Sequence, residues 1–265
     1  MTVHLLGTGS ADPGPDRTTT MLAVECGATA VLVDCGGDAA RCLLKAGLKP
    51  EALDAIVLTH EHPDHISGYA LLIEKMWLRG RRDPIHVYGP ASALRVASQC
   101  FGAYDTDKWD GLPPRVLHPV TTDGDAVVLD GEDLRVTSTP VVHPVPTIGL
   151  RFESAAATLA YSADTAQSAQ VVRLASGADL LLHEGTGSLP GVHASPLEAA
   201  ETARAAGVTR LILVHAPCDA SDAALGDAVA IVPDTRWGTD GESITLGSSS
   251  HASVRASSLP ASSGV

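Results

Sequence analysis

Residues 59–65 read Thr59-His60-Glu61-His62-Pro63-Asp64-His65 and follow directly on the apolar run Ala55, Ile56, Val57, Leu58. Three imidazoles and a carboxylate crowd into six positions at the end of what the pattern reads as a buried strand. Chance satisfaction of three histidines in so short a loop is a poor explanation. A tight loop spaced H-x-H-x-D-H can instead turn His60 and His62 toward one metal ion while Asp64 and His65 reach a second. Imidazole and carboxylate donors at this density fit a zinc-type site. The lack of thiolates nearby suits a catalytic centre better than a closed structural one.

Outward from this loop, short strands alternate with helices. Hydrophobic period predicts strands at 3–6, 20–25, 29–34, 54–58, 85–88, 125–129, 132–139, 148–153, 158–162, 179–182, 210–214 and 242–246, and helices at 38–47, 66–79, 91–100, 166–176 and 196–206. In the second helix Ile66, Tyr69, Ala70, Ile73 and Trp77 share one face, which predicts a core stripe. The last helix has a legible start: Ser195 caps, Pro196 takes the first helical position and Glu198 completes a capping box. His193 therefore sits on a loop held by a defined helix end. The order of elements suits a four-layer αββα sandwich of two mixed β-sheets with outer helices. With 265 residues, 45% of them hydrophobic, the chain can bury a full core as one domain over 1–246, and no size argument demands a second unit. Residues 247–265, rich in Ser and Ala, are expected to be a disordered C-terminal tail.

Composition narrows the function classes. The five cysteines, at 26, 35, 42, 100 and 218, include no C-x-x-C pair, so they are expected to be small buried apolar residues and not a disulfide framework or a thiolate zinc site. Net charge is −13 and nine residues are aromatic, which leaves neither an electrostatic footprint nor a stacking platform for nucleic acid in the totals. No apolar stretch approaches the roughly 20 residues of a membrane span. The opening MTVHLLGTGS lacks the basic-then-apolar order of a signal peptide, so a cytoplasmic location without membrane contact is expected.

With the H-x-H-x-D-H loop placed after a strand, the chain resembles the metallo-β-lactamase superfamily of hydrolases. The resemblance implies further metal ligands, and the sequence offers each in order: His143 after the strand ending at Thr139 for the first metal, Asp164 in YSADT as the bridging carboxylate, and His215 after LILV for the second metal. The stretch LLGTGSADPGPDRTTT, the Pro146, Gly149 and Arg151 that follow His143, HEGT at 183–186 and HASPLEAAETARAAGVTRLILVH resemble motifs of ribonuclease Z. In that family the glutamate and the histidine matched here by Glu184 and His193 work as a pair near the leaving group. Two divalent ions, zinc first and manganese second, are therefore expected. Between them a hydroxide can form near neutral pH, with Asp64 among the catalytic groups. His193 is expected to act as general acid, oriented by Glu184. His183 points the other way along its strand and is read as structural, while His4, His86, His118 and His251 carry no motif.

Two departures bear on substrate. Only 21 positions separate His143 from Asp164, room for one hairpin and not for the long tRNA-gripping arm of bacterial ribonuclease Z, and after Gly68 the chain reads YALLIEK in place of the usual Pro-Gly. A compact phosphodiesterase acting on a small phosphodiester is the first expectation. A tRNA 3′-end endonuclease that manages without the arm, as a homodimer or with a basic rim, is the alternative. A lactone, thioester or β-lactam hydrolase is the second alternative. A redox diiron role is disfavoured because His62 stands where such relatives use a carboxylate.

Overall fold

A computed structural model describes residues 1–247. The expected tail falls outside the described residues apart from Gly247, as does His251. Fourteen strands form two seven-stranded mixed sheets. The first runs in the order β14 (Glu242–Thr245), β1 (Thr2–Gly7), β2 (Met21–Cys26), β3 (Thr29–Val33), β4 (Ala55–Val57), β5 (Ile85–Gly89), β6 (Arg115–Pro119). The second runs β13 (Asp234–Trp237), β12 (Arg210–Val214), β11 (Leu180–Glu184), β10 (Thr158–Tyr161), β9 (Ile148–Glu153), β8 (Arg135–Pro140), β7 (Ala126–Asp130). In each sheet a meander of antiparallel strands passes into a parallel set, β3 to β6 in the first and β10 to β13 in the second.

The strands are apolar on both faces because both faces are covered. Leu22, Val24, Val31, Val33 and Val57 meet Leu150, Phe152, Leu159, Leu180 and Leu182 between the sheets. Alternate residues Met21, Ala23, Leu32 and Ile56 turn outward against helices α1 (Ala39–Lys45), α3 (Tyr69–Leu78) and α4 (Ala91–Gly102), the short α2 (Pro63–Ile66) lying at their head. On the other flank Leu181, Leu211 and Leu213 pack on the alanine-rich faces of α5 (Ala169–Ala175), α6 (Pro196–Ala205) and α7 (Gly226–Ile231). The four-layer αββα expectation holds.

Local readings fared unevenly. The helix expected over 66–79 is two: the chain breaks at Ser67 and Gly68, where Gly68 N–H donates to the Cys35 carbonyl, and α3 starts afresh at Tyr69. Its buried face is Tyr69, Leu72, Ile73 and Met76, with Ala70 partly buried against the same core, so of the expected stripe Trp77 departs. Trp77 instead stacks on Trp109, ring centroids 4.9 Å apart, and donates to the Asp110 carbonyl. β6, β13 and α7 lie outside the elements that hydrophobic period predicts, since a sheet-edge strand such as RVLHP carries little apolar period. Of the cysteines, Cys35 alone is fully buried; Cys100 and Cys218 are exposed, against the expectation for the set, and all five are free thiols. The interval from His143 to Asp164 holds the β9–β10 hairpin.

Candidate metal centre

The residues singled out above meet at one end of the sandwich, where strands of both sheets finish. β4 ends two residues before Thr59, and His62 precedes the Pro63 that opens α2, so a single turn of helix carries Asp64 and His65 inward. His143 follows β8, Asp164 follows β10, Glu184 closes β11 and His215 directly follows β12. Sites outside the carboxyl ends of parallel strands are a general outcome of such sheets. The opposing loop Asp34–Asp38 lies so close to α2 that a Cβ on Gly36 would fall 1.5 Å from the Asp64 carbonyl oxygen.

Two donor clusters result. His60 Nε2 stands 3.1 Å from His62 Nδ1, which stands 3.3 Å from His143 Nε2. In the second, His215 Nε2 lies 3.3 Å from Asp64 Oδ2 and 3.2 Å from Asp164 Oδ2, while His65 Nε2 lies 3.4 and 3.6 Å from the same two oxygens. Asp164 Oδ2 is also 3.9 Å from His60 Nε2, which sets this carboxylate between the clusters.

The outer nitrogens explain why lone pairs point inward. Thr59 gives its hydroxyl proton to Asp34 and so accepts from His60 Nδ1–H at 3.0 Å. His65 Nδ1–H donates to Asp34 Oδ2 at 2.8 Å, and His143 Nδ1–H donates to the Val192 carbonyl at 2.9 Å. Thr186 donates to the His215 carbonyl and therefore accepts from His215 Nδ1–H at 2.6 Å. In the neutral form, with each Nδ1 proton used, the Nε2 of these four rings presents a lone pair. Burial first, then neighbouring imidazoles, hold His60 below the ordinary histidine pKa, and burial likewise lowers His143. Burial opposes charge on His65 too, but Asp164 and Asp34 outweigh it and hold that group well above its usual value. Burial would raise Asp64; the imidazoles of His215 and His65 beside it prevail and keep it well below the carboxylate range.

This arrangement fits divalent metal. Converging imidazole lone pairs repel one another unless a cation lies among them. His65 Nε2 and Asp164 Oδ1 are buried without a hydrogen-bond partner, and the donors are those that zinc and manganese accept. Backbone strain gathers here as well. The non-glycine residues at positive φ are Asp34 (59°), Ala163 (53°) and His215 (55°) among the described residues, and every one stands where a strand hands over to this centre.

Glu184 and His193 also meet. Glu184 is fully buried; Oε1 accepts from His193 Nδ1–H at 2.8 Å and from the amides of Thr165 and Ala194, while Oε2 accepts from the Thr186 amide. Burial lowers the His193 pKa, but the Glu184 hydrogen bond and charge prevail, leaving it above the ordinary value. A donor nitrogen of His193 lies within 4.8 Å of donors of Asp164 and His215. His183 is buried on the helix side with Nδ1–H on the Glu184 carbonyl, away from the centre.

Asp34, Thr59 and Thr186 were not singled out from sequence. For Asp34 a signal existed: like His60, it is a polar residue directly after an apolar strand, Val31-Leu32-Val33.

A family model described as a beta-lactamase superfamily domain matches residues 29–216. The chain belongs to the metallo-β-lactamase superfamily. It is a hydrolase of that fold, which implies bound divalent metal ions. Ribonuclease Z of Mycobacterium bovis (strain BCG / Pasteur 1173P2) is 32% identical, the match covering 80% of this chain and 85% of that protein. Among solved structures, the metallo-β-lactamase fold protein YhfI from Bacillus subtilis superposes with a TM-score of 0.78 at 23% identity, over 92% of this chain and 98% of that one. The short form of human tRNase Z gives 0.76 at 23% identity, over 93% and 99%. Those two likenesses are likenesses of fold. Among the described residues, no helix is long and apolar enough to cross a membrane.

Proposed function

We propose that this chain hydrolyses phosphodiesters with two divalent ions, zinc by preference and manganese as substitute. His60, His62 and His143 would hold one ion, Asp64, His65 and His215 the other, and Asp164 would touch both. Bound there, the ions supply Lewis acidity and a water acidic enough to attack at neutral pH. Asp64 orients the attacking water and helps take its proton. Water oxygen bonds to phosphorus, the bond to the leaving oxygen breaks with its electron pair, and that oxygen takes a proton from His193 Nε2. Glu184, fixed by amides of Thr165, Ala194 and Thr186, keeps the His193 ring oriented and favours its protonated form.

The observation that carries this reading is the pairing of buried Glu184 with half-buried His193 beside the donor clusters. A thioester can expel its thiolate without such an acid, whereas an alkoxide leaving phosphorus needs one. The 32% identity to a protein named ribonuclease Z favours a second reading, 3′-end cleavage of precursor tRNA. A net charge of −13 and a single hairpin between His143 and Asp164 favour small diesters. The test compares kcat/KM on bis-p-nitrophenyl phosphate, precursor tRNA and a simple lactone at one salt concentration. Efficient tRNA cleavage with feeble action on the small diester would promote the second reading, and a lactone preference would dismiss both.

A further inference from the structure

His193 commits Nδ1 to Glu184, so a departing oxygen must approach its other nitrogen, and the group on that oxygen must pass the backbone flanking the ring. Two segments form this flank: 140–147, PVVHPVPT, and 185–195, GTGSLPGVHAS, tied together by His143 Nδ1–H on the Val192 carbonyl. Neither contains Lys, Arg, Asp or Glu, in a chain 18% charged. Leu189 is 52% exposed and Val142 36%. A lone exposed leucine is ordinary. This one is pinned opposite the acid. Pro190 and Gly191 (φ 76°) make a tight turn closed by Val192 N–H on the Leu189 carbonyl at 2.9 Å, and Leu189 N–H donates to the His193 carbonyl at 3.1 Å. Leu189 and His193 thus form an antiparallel bridge pair. Residues directly opposite in such a pair project to the same side, which stands Leu189 next to the His193 ring.

Resting on the phosphodiester reading above, we propose that Leu189 seats the leaving group, and that this group is an uncharged alcohol with a flat apolar face, such as a phenol or a nucleoside. Apart from His143 and His193, whose Nδ1 atoms are committed to Val192 and Glu184, the two segments offer no charged side chain to a leaving group, while a planar group covers the leucine. The metal-loaded enzyme is assayed on methyl phenyl phosphate and methyl 3-carboxyphenyl phosphate, in which the aryl oxide departs. The phenyl ester should be favoured about 10-fold or more in kcat/KM, the scale on which an apolar contact discriminates. Leu189→Ala should lose most of that preference through the phenyl ester alone, and Leu189→Lys should favour the carboxylated one. Equal use of both esters, unchanged in Leu189→Ala, overturns the proposal. Saturation-transfer NMR of phenol, 3-hydroxybenzoate and uridine on the metal-loaded protein reads the seat without turnover. Signals from phenol or uridine that vanish in Leu189→Ala support it, with phenol and uridine separating the two sources, and signals indifferent to the substitution overturn it. If neither ester is hydrolysed while the NMR contrast stands, the phosphodiester reading fails and the seat survives.

Discussion

Thr186 holds His215 at two points, accepting from Nδ1–H and donating to the carbonyl of the same residue. Thr186→Val keeps the shape and removes both bonds. It should weaken metal binding roughly 10- to 100-fold, the usual consequence of losing a ligand's outer partner, with Thr186→Ser restoring most of it. Titration against a competing chelator measures this without any substrate. His193→Ala should behave in the opposite way, keeping its metals yet losing roughly 10²- to 10⁴-fold on a diester with a poor leaving group and far less on a p-nitrophenyl ester. An equal loss on both esters would make His193 a substrate-positioning residue. At this scale His60, His62 and His65 were legible because three imidazoles crowded after an apolar strand are rare without a task, while His143, His193 and His215 were legible through the family resemblance. Asp34, Thr59 and Thr186 were not, since loop threonines and aspartates have many ordinary uses. What distinguishes them is a partner distant in the chain: Asp34 reaches His65, and Thr186 reaches His215.

Among the elements, α6 is the clearest case of sequence dictating structure. Ser195 and Glu198 form the reciprocal capping box that their spacing implies, and Ser188 adds a hydrogen bond to Glu198. Ser195→Ala should cost about 1 kcal/mol, a drop of roughly 2–4 °C in Tm for a chain of this size. The cap also has a pH signature. Burial would raise the Glu198 pKa, but hydrogen bonds from Ser195 and Ser188 prevail and hold it below the usual carboxylate value. A lowered folded pKa contributes stability that is complete above the unfolded value, about 4.3, and fades as pH falls through the folded one. The deficit of Ser195→Ala should therefore shrink below about pH 4, and thermal melts between pH 7 and pH 3 follow it. A constant deficit would assign the cap's worth to the Ser195 hydroxyl alone. Where sequence reading slipped, a longer-range contact intervened. The break before α3 serves the approach of Gly68 to Cys35, and no helical period records a contact 33 positions back.

For the whole molecule, charge sets the expected response to salt. A protein at −13 repels a polyanion over about a Debye length, roughly 10 Å at 0.1 M salt, so added salt should leave kcat/KM on an oligonucleotide level or raise it between 50 and 200 mM. A fall of tenfold or more would reveal a basic track that releases counterions, and would favour the RNA reading. The sequence by itself determined the strand-helix alternation, the α6 cap and the H-x-H-x-D-H loop, because each depends on residues within a few positions of one another, whereas His143, Asp164 and His215 were legible only through the family resemblance. The pairing of β14 with β1, joining the two ends of the described chain, is long-range. So is the junction of sheet ends that brings His60, Asp164 and His215 to one place. Tertiary structure alone decided these, and it also decided which ring nitrogen faces inward, since that depends on where the proton of the other nitrogen finds its acceptor.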